Sequence, residues 1–266
     1  LSPHADTWAN FCQAACDQRG LPLTIVRVSI SPANSDGLGI EGAARRARYA
    51  AFREQGSAII LAGQHADDQA ETVLHQLLRG TGLAGLAAMG EARTLNPGQQ
   101  LLRPLLHLSR SEIETYARAR QLQWVEDESN TDTAYTRNFI RHELMPLVAT
   151  RFPHYAASLR RAATHAAGSV TMLEDLAKLD LRWDGVNAHA DGLDKLDLLR
   201  QTNALYYWLG WHKVSPPSHA QMEEWARQLF RESPPDKSHL AGGHDYVIRR
   251  SRNVLSLQMK SNGEGE

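Results

Sequence analysis

Leu61-Ala62-Gly63-Gln64-His65-Ala66-Asp67-Asp68-Gln69-Ala70-Glu71-Thr72 carries an apolar strand tip into a polar helix start. Ser57 to Ala62, just before the loop, is a short apolar run bounded by turn residues. Asp67 to Arg79 repeats apolar positions at helical spacing and stops at Gly80, a residue suited to a helix C-terminus. Strand, loop and helix in that order is the building unit of an α/β fold, whose ligands gather beyond the carboxyl ends of its strands. Asp68 and Glu71 stand three apart, so both carboxylates fall on one helical face, where they can hold an ammonium group or Mg²⁺. Acids in a first helical turn also offset the helix dipole, by about 0.3–1 kcal/mol each. That simpler account leaves His65, Gln69 and Thr72 without a job, so the segment is read as a functional site. Zinc is disfavoured, because no second histidine lies at ligand spacing.

The same alternation extends on both sides. Asp6 to Arg19 reads as a helix, Leu23 to Ile30 as a β-branched strand and Gly39 to Gln55 as a helix. Leu101-Leu102-Arg103, ahead of Pro104, reads as an extended edge. Ser109 to Arg120 is a helix with Ser109 as its cap and Glu112 three residues on. The pattern predicts a parallel sheet covered by helices. Beyond it the character changes: Thr136 to Arg151, Pro153 to Leu181, Leu193 to Trp211 and His219 to Arg231 are helical by period, and Val247 to Leu257 reads as a small hairpin. The expected organisation is an α/β domain over 1–150, a connecting helix over 151–182, a small, mostly helical α+β domain over 183–260 and a disordered polar tail over 261–266.

Composition sets the bounds. The chain has 266 residues, 42% hydrophobic and 22% charged with a net charge of -1, which is ordinary globular usage. No apolar run is long enough for a membrane helix, and the residues after Leu1 do not read as a signal peptide, so a cytoplasmic protein is expected. Cys12 and Cys16, the 2 cysteines, exclude a disulfide framework; four apart on a helix, they read as buried small apolar residues and not as a redox pair. The tryptophans of the second half, Trp183, Trp208, Trp211 and Trp225, read as core. The lysines all lie beyond residue 177, so the first two thirds is basic through arginine alone. A planar guanidinium suits phosphate and RNA, although a GC-rich genome would give the same count.

Three further segments carry polar chemistry. Arg79-Gly80-Thr81-Gly82-Leu83-Ala84-Gly85-Leu86 offers backbone N–H groups to an anion or a base, or is simply a helix stop and loop. In Glu41 to Tyr49, Arg45 and Arg48 share a helical face with Tyr49 one turn from Arg45, a basic and aromatic face fit for phosphate or RNA, or a solvated one. Glu126-Asp127-Glu128-Ser129-Asn130 is an acidic turn before a helix on which Arg137 and Arg141 stand one turn apart. That pair could neutralise a polyphosphate or RNA strand, or the acids just upstream.

These segments, with Arg103-Pro104-Leu105-Leu106, fall in the order seen in tRNA(Ile)-lysidine synthetases, and Glu41 to Tyr49 matches that family's Ala-Arg-x-x-Arg-Tyr element. The chain resembles the family over roughly residues 1 to 258. The resemblance implies a PP-loop, or N-type ATP pyrophosphatase, domain: a Rossmann-like sheet of the adenine-nucleotide α-hydrolase kind. It implies a ligase that uses ATP with Mg²⁺ to adenylate C2–O of the wobble cytidine in the CAU anticodon of tRNA(Ile). The amine of free L-lysine then displaces AMP to leave lysidine. On this resemblance Asp68 and Glu71 receive the amino groups of lysine, with His65 beside them, and Arg45 and Arg137 stabilise charge on phosphates or the adenylate. Asn138 and Arg141 support their helix against nucleotide or tRNA. Arg48, Arg103, the Arg79-Gly80-Thr81-Gly82 loop, Asp127 and Asn130 complete the implied substrate-binding set. No membrane partner is implied, and a homodimer is left open.

The family's Ser-Gly-Gly-x-Asp-Ser loop does not occur in this sequence. Gly242-Gly243-His244-Asp245 lacks the serines and leads into strand material, so it reads as a hairpin turn. The resemblance therefore implies a fragment without the PP-loop and without a further C-terminal domain, whose ATP site is incomplete and which is inactive alone. Three competing readings stand beside it: a metal-dependent hydrolase using His65, Asp67, Asp68 and Glu71, a non-catalytic RNA-binding module, and a tRNA thiolase of the same fold. The thiolase ranks low because Cys12 and Cys16 lie far from the motifs.

Overall fold

The structure, a computed structural model, describes residues 4–29, 39–185, 188–230, 239–243 and 245–260. It divides into two compact units, Leu1–Ala166 and Ala167–Glu266. The division falls inside one long helix, between the domain limits expected from sequence.

In the first unit, α1 (Ala5–Asp17) and α2 (Gly39–Glu54) precede β1 (Ile59–Leu61), and α3 (Ala66–Leu78) follows it. After α4 (Leu83–Leu86), β2 (Ala92–Asn96) and β3 (Gln99–Leu102) form a hairpin, and α5 (Arg110–Ala119) closes the segment. The sheet order is β1-β3-β2, with β1 parallel and β2 antiparallel to β3. Leu101 and its neighbours therefore form the central strand and not the expected edge. The Pro97-Gly98 turn sends β2 back beside β3, which makes the sheet mixed where parallel pairing was expected.

The run from Leu23 is a correction too. Residues 23–29 are irregular and mostly exposed, Ile25 and Val28 among them, and Ile30 lies outside the described residues. β-Branched residues make a strand only where a neighbouring strand takes their backbone groups, and none of the described strands pairs with this run. Cys12 is exposed and Cys16 half-buried, both free, against the expectation of burial: α1 buries no residue against the described unit.

The helix expected over Thr136 to Arg151 is α6 (Thr136–Phe139), a π-helical turn (Ile140–Leu144) and α7 (Met145–Arg151). Pro146 has no N–H for a carbonyl four residues back, and its ring crowds that carbonyl; a widened turn accommodates both. α8 (Tyr155–Asp180) then carries the chain into the second unit.

There β4 (Ala188–His189) precedes α9 (Leu198–Trp211) and α10 (His219–Phe230), followed by β5 (His239–Gly242), β6 (Tyr246–Ser251) and β7 (Val254–Met259). The sheet order is β4-β7-β6-β5 with every pair antiparallel, so the expected hairpin is the middle of a larger sheet. One face of that sheet, through Ile248 and Leu255, meets Leu205, Trp208, Trp225 and Leu229 in one apolar core. Trp208 and Trp225 are buried, and Trp183 stacks on Trp211 against that core, as expected of core tryptophans. At Gly242 a Cβ would strike Tyr246, which fixes glycine where β5 turns into β6. The expected tail, 261–266, and His244 lie outside the described residues.

Candidate functional site

β1 ends at Leu61, and the loop Ala62 to His65 places the N-terminus of α3 beyond the carboxyl end of the sheet. His65 is the N-cap residue, and its backbone N–H donates to Asp68 Oδ2 at 3.1 Å. Gln69 is buried and clamps Met89 through two hydrogen bonds of 3.0 Å, from its Nε2 to Met89 O and from Met89 N to its Oε1. Thr72 donates to Asp68 O at 2.7 Å. Gln69 and Thr72 thus have structural work, which removes two of the three residues that argued for function in the sequence. What remains is stronger. Asp68 and Glu71 both point toward the helix at Thr136 and are gripped by its arginines.

Arg137 donates from Nε to Glu71 Oε2 and from Nη2 to Asp68 Oδ1, each at 3.0 Å. Arg141 donates from Nε to Glu71 Oε1 at 2.6 Å, and from Nη2 to Glu71 Oε2 at 2.9 Å and Asp68 Oδ1 at 3.0 Å. Two carboxylates and two guanidinium forks thus form one closed array. Glu71 is 3% exposed and Arg137 39%, so the array is sealed at its base and open at Arg137. The arginines neutralise these acids, and not the acidic turn just upstream of their helix. Burial alone would pull the Arg141 guanidinium down; its bond to Glu71 and the fields of Glu71, Asp68 and Asp67 outweigh that and raise its pKa.

Behind the array lies a cavity of about 80 Å³ lined by His65, Asp67, Glu71, Arg110, Arg141, Met145 and Tyr155. Asp67 Oδ2 accepts the Arg110 N–H at 2.8 Å. A hydrogen bond from His65, resisted by burial and aided by that N–H, holds its carboxyl below the usual range. His65 Nδ1 lies 3.5 Å from Asp67 Oδ2 and is buried without a well-aligned partner. Burial, with the fields of Asp67 and Glu71, pushes the Tyr155 hydroxyl up. Sequence reasoning missed Arg110 and Tyr155. No local signal distinguishes either from an ordinary helix residue.

The other expected residues divide by place. Asn138 is buried and donates to Ser129 O at 2.8 Å and Asp132 O at 2.9 Å, and Asp127 Oδ1 accepts the Ser129 N–H at 2.9 Å. His142 Nε2 meets Asn130 O at 2.6 Å. This turn therefore splints the helix that aims Arg137 and Arg141. Arg103 is 3% exposed and donates to Gln64 Oε1, Gly90 O and Tyr49 Oη, tying the end of β3 to the loop after β1 and to α2. Arg45 lies over the Tyr49 ring at 5.0 Å and Arg48 is exposed; neither meets the carboxylate array. Arg79, Gly80, Thr81 and Gly82 sit past the C-terminus of α3, the far end from Asp68, so the expected loop is not brought to the array. Gly80 has φ +68° as the helix stop requires.

Among the described residues no three His, Cys, Asp or Glu side chains converge as a metal site, and no helix is long and apolar enough to cross a membrane. The hydrolase reading finds no support here: Asp68 and Glu71 converge with arginines and not with a third metal-ligating side chain among the described residues.

Residues 1–148 match the family described as the PP-loop domain, and residues 189–256 match the TilS substrate binding domain. A tRNA(Ile)-lysidine synthase of Pseudomonas syringae pv. tomato is 44% identical over 272 residues, covering 96% of this chain and 58% of that protein. Those of Pseudomonas fluorescens and Nitrosomonas europaea are 43% and 41% identical, over 79% and 88% of this chain and 49% and 52% of theirs. The chain spans about half the length of the curated relatives it matches.

Proposed function

This chain belongs to the PP-loop family, in its tRNA(Ile)-lysidine synthase branch, and we propose that it is the part of a cytoplasmic ligase that joins lysine to the wobble cytidine of tRNA(Ile). The observation that carries the reading is the array of Asp68, Glu71, Arg137 and Arg141 at the carboxyl end of β1, where an α/β fold receives ligands. ATP is the activating substrate, and Mg²⁺ enters with its phosphates.

The chain's own residues have definite tasks in this scheme. The activated base is an electrophile with AMP as its leaving group, so the amine must arrive neutral and held close. Asp68 and Glu71, held in place by two guanidiniums, are the acids that receive an ammonium group. The cavity beside them receives the ammonium end of lysine. Ionised Asp67, with His65 donating to it, is the acceptor in its wall. Arg137, the open member, faces the phosphate or adenylate, where a fixed cation favours developing negative charge.

The test uses the full-length enzyme with a CAU-anticodon tRNA(Ile) transcript, ATP and labelled lysine. Pyrophosphate release that requires the transcript and lysine transfer to it are expected. ATP turnover indifferent to the tRNA would overturn the assignment.

A further inference from the structure

From Leu144 to Leu173 the sequence contains no Asp or Glu, yet it carries Arg151, His154, Arg160, Arg161 and His165. All five side chains are exposed. His154, Ser158, Arg161 and His165 recur at helical spacing along the start of α8, a stripe about 16 Å long at 1.5 Å per residue. The other side of the same turns, Tyr155, Ala156 and Leu159, packs on Ala70, Ile140 and Met145. The basic stripe is thus held outward by a seated helix. At the corner where α7 gives way to α8, Phe152 is 64% exposed beside Arg151.

Some exposed arginines elsewhere carry their own counter-ions. Arg110 and Arg118 both pair with Glu114, and Arg227 pairs with Glu223, at helical spacing. Among the described residues no carboxylate stands at ion-pair distance from Arg151, Arg160 or Arg161; Arg161 donates only to Ser158 Oγ, at 3.0 Å. An ordinary solvated helix face interleaves acids with bases. This one keeps its guanidiniums uncompensated and sets an aromatic ring next to them, a combination suited to phosphates and an unstacked base.

We propose that this face, from Arg151 and Phe152 to His165, docks the phosphodiester backbone of the RNA substrate. The proposal rests on the tRNA reading above and adds a surface to it, separate from the reacting groups. The test compares the full-length protein with its R151A/R160A/R161A and R151K/R160K/R161K variants in tRNA(Ile) binding across a salt series. Three lost phosphate contacts should lower the slope of log affinity against log salt by about 2, and affinity at 0.1 M salt by about a hundredfold. The lysine variant should keep most of the slope, because phosphate contact needs the charge more than the fork. An unchanged slope in the alanine variant, with tRNA still bound, overturns the surface and leaves the tRNA reading standing. Unchanged tRNA binding with loss of binding to polyglutamate would assign the face to an acidic protein instead. Failure of the parent protein to bind tRNA would overturn both.

Discussion

The two units spend their interiors differently. The second buries hydrocarbon: Trp208, Leu209, Trp225, Leu229 and Ile248 close over one another between two helices and a sheet. The first buries charge, since its apolar cluster around Glu71 is no more than Ala70, Ile140 and Met145 with their half-buried neighbours. Desolvating two carboxylates and two guanidiniums costs several kcal/mol per ion, and their attraction returns little beyond that. A fold seeking stability alone is served as well by leucines there. The contrast separates a region arranged to persist from one arranged to hold charge in place.

The largest effects should come from breaking each interior in its own way. Glu71→Ala removes the three hydrogen bonds that Arg137 and Arg141 make to Glu71 and leaves Asp68 Oδ1 as their one shared acceptor. It should cost about 3–5 kcal/mol in urea unfolding and abolish lysine transfer; a loss below 1 kcal/mol would dissolve the contrast. Trp208→Ala, deleting a side chain 1% exposed, should cost a similar 3–5 kcal/mol. The damage should appear as early hydrogen exchange in α9 and α10, with α3 still protected. Arg137→Lys keeps charge but loses the fork at a position 39% exposed. Stability should move by less than about 1 kcal/mol while transfer falls more than about tenfold; equal activity would demote the open end of the array.

Asp67 gives a pH signature. Its folded-state pKa is lowered by the His65 hydrogen bond and the Arg110 N–H, so its contribution is full above the usual carboxylate range. That contribution is lost as pH falls through the lowered value. Asp67→Asn should flatten the acid limb of stability between about pH 5 and 2, and an unaltered limb would remove Asp67 from the account. Away from the array, Ser109→Ala removes the acceptor of the Glu112 N–H at 3.3 Å and should cost about 1 kcal/mol.

Local chemistry was legible. α3 and α5 lie within a residue or two of their sequence limits, because caps, apolar period and stop residues sit within a few positions of what they control. The run from Leu23 misled because a strand is a property of two chain segments, and one run of β-branched residues cannot report its neighbour. β2 escaped notice for the same reason. In the site, Asp68 and Glu71 were legible as a pair and Arg137 and Arg141 as another. Their union joins residues 66 to 73 positions apart, which no spacing rule encodes. The roles proposed for these four residues rest on the family resemblance and not on spacing.

β1 has one further consequence. Among the described residues it pairs with β3 alone, and its other edge carries backbone groups that no strand takes, with Ile59 58% and Leu61 68% exposed. Its length of 3 residues is itself what blunts that edge. An edge this short offers few main-chain groups to a second copy, so self-association through it should be weak, and light scattering that stays flat as concentration rises is the expected result.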